Sequence, residues 1–122
     1  MATLFNISGI DHIVFHVKDL SRARAFYVDF LGLAVERERE RQCFLECGSQ
    51  GIALFQIGKD QDVPGGTEVN HIALRLAAGD RESVKKRLQD AGVEVFGRRN
   101  DPGCVYFRDP DGHQLQFLLP NE

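Results

Sequence analysis

The chain has 122 residues, of which 43% are apolar, so it is the size of one globular domain with an ordinary core. Its formal net charge of −3 and pI near 5.8 argue against a general nucleic-acid-binding protein. No apolar run approaches the roughly 18 residues of a membrane span, and the N-terminus does not resemble a secretory signal. The number of cysteines, three, is odd, and without an export signal they are expected to be reduced thiols in the cytoplasm. Together these features predict a cytoplasmic protein with no membrane partner and no nucleic-acid partner.

Two segments of the chain share one pattern, Ile10–Val17 (IDHIVFHV) and Val69–Leu76 (VNHIALRL). Each has a short polar residue, then a histidine, then alternating side chains, which predicts a strand with one buried face. Because the pattern repeats, a histidine opens the same face of each strand, and we predict a site built from both halves. The alternative is a pair of histidines that serve only the core. The residues on that face are His12, Val14 and His16 in the first strand, and His71, Ala73 and Arg75 in the second.

The elements of the first half follow in order. Asp11–Val17 is the first strand, and Asp19 can cap a helix that ends at Gly32. An apolar face along that helix recurs at helical spacing. Two further strands are predicted at Cys43–Cys47 and Ile52–Ile57. The apolar helix face consists of Ala23, Phe26, Tyr27, Phe30 and Leu31.

The segment Leu33–Arg41 (LAVERERER) admits two interpretations. If it is extended, Val35, Arg37, Arg39 and Arg41 share one face and the glutamates share the other. The segment is then a solvated strand with cross-strand ion pairs, or it places one or more arginines in a cavity that binds an anion.

Gly58–Gly66 (GKDQDVPGG) has the composition of a linker, and the pattern of elements then restarts. The second helix is capped by Asp80, has an apolar face at Val84, Leu88 and Ala91, and ends at Gly92. The remaining predicted elements are strands at Thr67–Leu76, Val93–Phe96, Cys104–Phe107 and Gln114–Leu119, a loop at Gly97–Gly103 and a turn at Asp109–Gly112.

The order strand, helix, strand, strand, strand therefore occurs twice. Gly32 follows His12 by 20 residues and Gly92 follows His71 by 21, which favours a duplication. The predicted fold class is α+β: two βαβββ modules, about residues 9–58 and 67–119, in a single domain of residues 1–122. We expect them to form a curved mixed sheet with a cavity on its concave face.

The paired histidine strands and the segment YFRDPDGHQLQF resemble the vicinal oxygen chelate superfamily, over about residues 9–119. This superfamily includes glyoxalase I, bleomycin-binding proteins, fosfomycin-resistance thiol transferases and extradiol dioxygenases, and the resemblance implies their common fold. It also implies a divalent metal ion (Zn, Ni, Mn or Fe) held by His12, His71 and Gln116, and a homodimer. Relatives carry glutamate where this chain has Gln116, and the matching position of the first half, Ala53 or Phe55 depending on the alignment, supplies no ligand.

The residues expected to bind substrate are His16, Phe55, Arg75 and Tyr106. Tyr106 resembles a phosphonate-binding tyrosine of fosfomycin-resistance proteins, whereas Val14 replaces their threonine and the chain stops at Glu122, before their last basic residue. Arg75 could instead form an ion pair at the end of its strand. His113 is expected to be a surface or turn-packing residue.

The resemblance implies an enzyme of lyase, isomerase or thiol-transferase type, assisted by a divalent metal ion, that acts on a small oxygen-rich or anionic molecule. One alternative is a metal-free protein that binds or sequesters a small molecule. Another is a dimer whose site has decayed.

Overall fold

A computed structural model describes residues 4–63 and 69–122 and divides the chain into two compact units, Met1–Val63 and Pro64–Glu122. Within each unit the order of elements is βαβββ, so the predicted duplication is confirmed. None of the described helices is long and apolar enough to cross a membrane.

Unit 1 is a four-stranded mixed sheet with one helical segment. Its strands lie side by side in the order β1-β4-β3-β2, with β1 parallel to β4 and the other neighbours antiparallel. The parallel pair requires a long crossover, which the helical segment begins. The elements of this unit are β1 (His12–Val17), α1 (Leu20–Arg24), a π-helical segment (Ala25–Phe30), β2 (Ala34–Arg39), β3 (Gln42–Cys47) and β4 (Gln50–Gln56).

Unit 2 repeats this topology. Its strand order is β5-β8-β7-β6, again with a parallel pair, β5 and β8, at one end. The elements are β5 (Ile72–Arg75), α2 (Arg81–Asp90), β6 (Phe96–Arg98), β7 (Asp101–Arg108) and β8 (Gln114–Leu118). The predicted strand Thr67–Leu76 is shorter here, and its first two residues lie outside the described part of the chain, as does the end of the predicted linker.

One face of each sheet carries the core. In β1, Phe15 and Val17 are buried while His12, Val14 and His16 are exposed on the opposite face, because side chains alternate along a strand. The buried face of unit 1 includes Ala23, Tyr27, Leu45, Ile52 and Leu54, and that of unit 2 includes Val84, Leu88, Val105, Phe107 and Leu115. The histidines therefore lie on the face opposite this core, where Ala53 and Tyr106 are also buried.

The first helix differs from the prediction. Ala23 and Tyr27 are buried as expected, but Phe30 keeps 37% of its surface exposed and Phe26 is only half-buried. The reason is the π-helical geometry, in which the Leu31 amide donates to the carbonyl of Phe26 five residues back. The wider turn rotates the later aromatics away from the face that a regular helix would bury.

Strand β2 contains a β-bulge between Val35 and Arg37. Val35 pairs with buried Leu45, on the core face, whereas Arg37 pairs with Phe44, on the opposite face. The prediction that Val35 and Arg37 share a face is therefore wrong, because a bulge inserts an extra residue and reverses the alternation.

The β6–β7 hairpin also corrects the prediction. Val93–Phe96 was expected as a strand and Gly97–Gly103 as a loop, but β6 reaches Arg98 and β7 starts at Asp101. Gly97 permits this close pairing, since a Cβ there would collide with the backbone of Pro102. The predicted turn at Asp109–Gly112 is confirmed, with the Gly112 amide donating to the Asp109 carbonyl over 3.1 Å.

Candidate functional site

Both predicted ligand histidines have the same local geometry. The Nδ1 atom of His12 lies 2.7 Å from Oδ2 of Asp11, and Nδ1 of His71 lies 2.7 Å from Oδ1 of Asn70. Because a carboxylate or amide oxygen only accepts, Nδ1–H donates in each pair, and in the neutral imidazole Nε2 then keeps its lone pair. A histidine that binds a metal ion is oriented in this way by an outer oxygen. The sequence signal was the short polar residue before each histidine, whose role the pattern alone did not reveal.

The strand ladders show which residues correspond between the two units. In unit 1 Val14 pairs with Ala53, and in unit 2 Ala73 pairs with Gln116. Val14 and Ala73 each lie two residues after their histidine, so Ala53 corresponds to Gln116. The ladder thus decides between Ala53 and Phe55, the two alignments left open by the sequence, and neither residue can bind a metal ion.

Unit 2 brings five of its side chains together on the histidine side of the sheet. Tyr106 pairs with Gln116 in the β7–β8 ladder, and its ring contacts His71 edge-on with 5.2 Å between centroids. Phe96 stacks on Tyr106 at 5.7 Å, and the guanidinium of Arg98 lies 5.0 Å from the centroid of the Tyr106 ring. This surface combines an imidazole, an amide, a phenol and a cation.

Tyr106 is only 1% exposed, and its hydroxyl has no hydrogen-bond partner among the described residues. A buried polar group is normally paired, because leaving it unpaired costs about 1–3 kcal/mol. Tyr106 thus carries a buried hydroxyl whose hydrogen-bonding capacity is unused among the described residues, on a ring that contacts His71.

The other predicted substrate-binding residues are placed as follows. His16 pairs with Phe55 in the β1–β4 ladder, and Phe55 packs edge-on against Phe44 with 5.7 Å between ring centroids. Arg75 is exposed and its Nη1 donates to the main-chain oxygen of Glu122 over 2.7 Å, so its partner among the described residues is a main-chain oxygen and not the side chain of an Asp or Glu. Glu122 thereby takes one donor of the guanidinium that was expected to face substrate.

His113 packs within the turn and is not a site residue. Its Nδ1 lies 2.7 Å from Oδ2 of Asp109, and both side chains are buried. Of the two placements expected for His113, the turn-packing one is confirmed and the surface one is wrong. Burial follows because Asp109 also accepts from the backbone amides of Asp111 and His113, which draws the imidazole into the turn.

Unit 1 contains a depression of about 410 Å³ beside His12. Arg37, Phe44 and Ala53 line it as well, so the bulge in β2 has placed one arginine next to a candidate ligand. One of the two interpretations of the segment 33–41 placed one or more of its arginines in a cavity, and Arg37 has that position.

The donors present fit a divalent metal ion, although weakly. No cluster of three or more His, Cys, Asp or Glu side chains occurs within residues 4–63 and 69–122. In unit 1, His12 nevertheless has an outer oxygen on Nδ1, which leaves Nε2 as its possible ligand atom. In unit 2, His71 has the same arrangement, with Nη2 of Arg98 3.4 Å from its Nε2, and Gln116 shares its face. Imidazole and amide donors suit a borderline divalent ion, while the absence of a carboxylate from this set lowers its affinity.

The two units thus define a duplicated βαβββ protein with a histidine at the head of the first strand of each half. The chain belongs to the glyoxalase/bleomycin resistance protein/dioxygenase superfamily, whose family model matches residues 9–117. This confirms both the resemblance and the fold class expected from the sequence.

Curated relatives span most of the chain. The glutathione transferase FosA of Serratia marcescens is 29% identical over 91% of this chain and 80% of its own length. The metallothiol transferase FosB of Bacillus licheniformis is 32% identical over 91% of this chain and 75% of its own.

Solved structures show the same fold. An integron cassette protein from the mobile metagenome of V. cholerae has a TM-score of 0.75 and 26% identity, covering 98% of this chain and 100% of its own. The fosfomycin resistance protein FosX of Listeria monocytogenes has a TM-score of 0.74 over 95% of this chain and 96% of its own, but at 23% identity it bears on the fold alone.

Proposed function

We propose that this chain is a divalent-metal-assisted enzyme that acts on a small oxygen-rich or anionic molecule, and that its reaction is of the thiol-transfer type. The observation that carries the proposal is the paired arrangement at His12 and His71, where an outer oxygen lies 2.7 Å from each Nδ1 and leaves Nε2 as the nitrogen that can bind a metal ion. The names of the FosA and FosB relatives, both transferases, favour thiol transfer over the lyase and isomerase chemistries.

His12, His71 and Gln116 would hold the ion, which when bound acts as a Lewis acid on a substrate oxygen. The chain's own contribution is orientation and charge stabilisation. Asp11 and Asn70 keep each imidazole in the tautomer that exposes Nε2. The Tyr106 hydroxyl donates to oxygen that gains negative charge, in a surrounding from which water is excluded.

Gln116 limits what the site can do. An amide carries no charge and does not take up a proton near neutral pH, so Gln116 cannot serve as a general base. A proton released from substrate must therefore pass to another group or to solvent. Because Gln116 is neutral, the metal site also keeps more positive charge than it would with a carboxylate ligand. This excess favours an anionic substrate over a neutral one.

The test measures metal content and metal binding directly. The protein is purified without chelator for elemental analysis, and Mn²⁺ and Zn²⁺ are titrated into metal-free samples by calorimetry. His12→Ala and His71→Ala should each weaken binding by at least the roughly 10- to 100-fold that loss of an outer-shell partner costs, because each removes a ligand itself. His16→Ala, on the same strand as His12, is the matched control and should change the affinity little.

Gln116→Glu supplies the missing charge and should tighten binding by roughly tenfold or more, because a carboxylate attracts the ion more strongly than an amide. Gln89→Glu, on the exposed face of α2, adds the same charge elsewhere and is its control. If neither the native chain nor Gln116→Glu binds metal, the enzyme proposal fails. The second candidate, a metal-free small-molecule-binding protein, is then favoured, as the absence of a carboxylate at Ala53 and Gln116 already suggests.

We further propose that residues 1–122 act as one domain of two repeats, about 9–58 and 67–119, and assemble as a cytoplasmic homodimer. The four-stranded sheet of each unit ends in a parallel edge strand, β1 or β5, that starts at or just after a candidate ligand. Light scattering after gel filtration should give a mass of two chains. A monomeric mass at micromolar concentration would contradict the dimer.

A further inference from the structure

Arg98 occupies an unusual position at the end of β6. Its Nη2 atom lies 3.4 Å from Nε2 of His71, the nitrogen that remains available on that ring. Its guanidinium also lies over the face of Tyr106, with Cζ 5.0 Å from the ring centroid. Asp101 is opposite Arg98 in the β6–β7 ladder. The cation therefore stands where a ligand of His71 would approach.

A guanidinium and a metal ion cannot both use the same imidazole lone pair. A metal ion on Nε2 displaces the Arg98 contact, and the two positive charges then repel each other. Gln116 does not relieve this repulsion, because it is neutral. An anion between the two cations relieves it, since each positive charge then has a negative neighbour.

The donors around Arg98 match such an anion. Arginine presents a fixed fork of N–H donors, and the Tyr106 hydroxyl is buried without a described partner. The fork lies over the ring that carries this hydroxyl, so an oxyanion bound by Arg98 is the ligand to which the hydroxyl would donate. Carboxylate, phosphate and phosphonate groups have this character.

The first repeat provides an internal comparison. Arg37 lies 4.2 Å above the centroid of Phe44, and Phe44 pairs with Ala53 as Tyr106 pairs with Gln116. Both units therefore place an arginine over an aromatic ring, and the two rings occupy corresponding positions, although Arg37 pairs directly with its ring whereas Phe96 and not Arg98 pairs with Tyr106. Only unit 2 adds a hydroxyl and an imidazole contact, so packing alone does not account for the surroundings of Arg98.

We propose that Arg98 is a specificity-determining residue that binds an oxyanionic group of the substrate together with the Tyr106 hydroxyl, and that it leaves His71 when a metal ion binds. The selection of an oxyanion by Arg98 deepens the proposed function. The anion-binding part does not require metal, whereas the displacement part rests on the metal site.

The test uses inorganic phosphate and Mn²⁺ as separate probes, each titrated by calorimetry into the metal-free full-length chain. Arg98→Gln should weaken phosphate binding by roughly tenfold or more, the loss expected for charged hydrogen bonds. Arg98→Lys keeps the charge without the fork, so its phosphate affinity should lie between those of the native chain and Arg98→Gln. Arg99→Gln, the exposed neighbour, is the control and should bind phosphate as the native chain does.

With Mn²⁺ alone the expected effect has the opposite sign. Arg98→Gln should tighten Mn²⁺ binding by roughly three- to tenfold, because the competing donor and its charge are gone. A merely structural role would weaken both probes together, and circular dichroism checks that each variant folds.

The outcomes separate this inference from the proposed function. If the native chain does not bind phosphate, or Arg98→Gln binds it equally well, the anion role of Arg98 is refuted. If Mn²⁺ affinity is unchanged or weaker in Arg98→Gln, the displacement from His71 is refuted. If the native chain binds phosphate through Arg98 but binds no metal, the metal-assisted function fails and the anion-binding role stands.

Discussion

Replacing Tyr106 by phenylalanine should stabilise the ligand-free protein. The hydroxyl is buried, has no described hydrogen-bond partner and is lost in the Tyr106→Phe variant, while the ring contacts to His71, Phe96 and Arg98 remain. An unsatisfied buried polar group costs about 1–3 kcal/mol, and a slightly weaker cation–π contact offsets a few tenths of that. We therefore expect unfolding to become harder by about 1–2 kcal/mol, which raises Tm by about 3–8 °C for a chain of this size.

The assay is urea and thermal denaturation of both proteins in chelator and without phosphate, followed by circular dichroism. Tyr27→Phe is the matched control. Tyr27 is equally buried, but its hydroxyl is not among the buried atoms without a partner, so this variant should be neutral or less stable. A Tyr106→Phe variant that is less stable than the native chain would show that the hydroxyl is satisfied, and the argument for an oxyanion site would lose its main support.

Three further predictions concern stability and reactivity. Hydrogen bonds from the Ser83 backbone and hydroxyl lower the pKa of Asp80 from its usual 3.8, so the stabilisation by Asp80 is present above that value and is lost as pH falls through the lowered pKa. In urea melts, Asp80→Ala should therefore be less stable than the native chain at pH 7, and the difference should narrow near pH 3. An equal difference at both pH values would contradict this. Burial raises the pKa of the Cys43 and Cys104 thiols, so in a thiol-titration assay at neutral pH both should react slowly, and their reaction should become fast only when the protein unfolds. Immediate reaction of both thiols would show that they are accessible. Gly97→Ala should destabilise the β6–β7 hairpin by about 1–3 kcal/mol, because its Cβ would collide with the Pro102 backbone, whereas Gly58→Ala meets only the flexible Gln61 side chain and should cost less.

The sequence predicted the architecture well because alternation and capping are local properties. Strand β1 and the Asp80 cap lie within a residue of their expected positions, and the cap accepts from the Ser83 amide as predicted for an N-cap. The errors fall where the backbone departs from a regular period. The π-helical segment turned Phe30 outward, and the bulge in β2 separated Arg37 from Val35. Neither irregularity has a local signal in the sequence, because each is set by what the element packs against.

The residues of the candidate site also divide into those that the sequence revealed and one that it did not. The repeated histidines and the replacement of an acid by Gln116 are visible in the sequence, since they depend only on residue identity and on a two-residue period. Arg98 was not identified as a site residue, because it lay in a segment predicted to be a loop.

The sequence by itself determined the repeated order of elements, the class of most of them and the histidine face, because side-chain alternation and helix capping act over a few residues. Tertiary structure decided the neighbours of that face: the Asx oxygen on each imidazole, the correspondence of Ala53 with Gln116, and the buried hydroxyl of Tyr106 beside Arg98. These depend on register between strands that are distant in sequence, and register is fixed by packing and by bulges across the whole sheet.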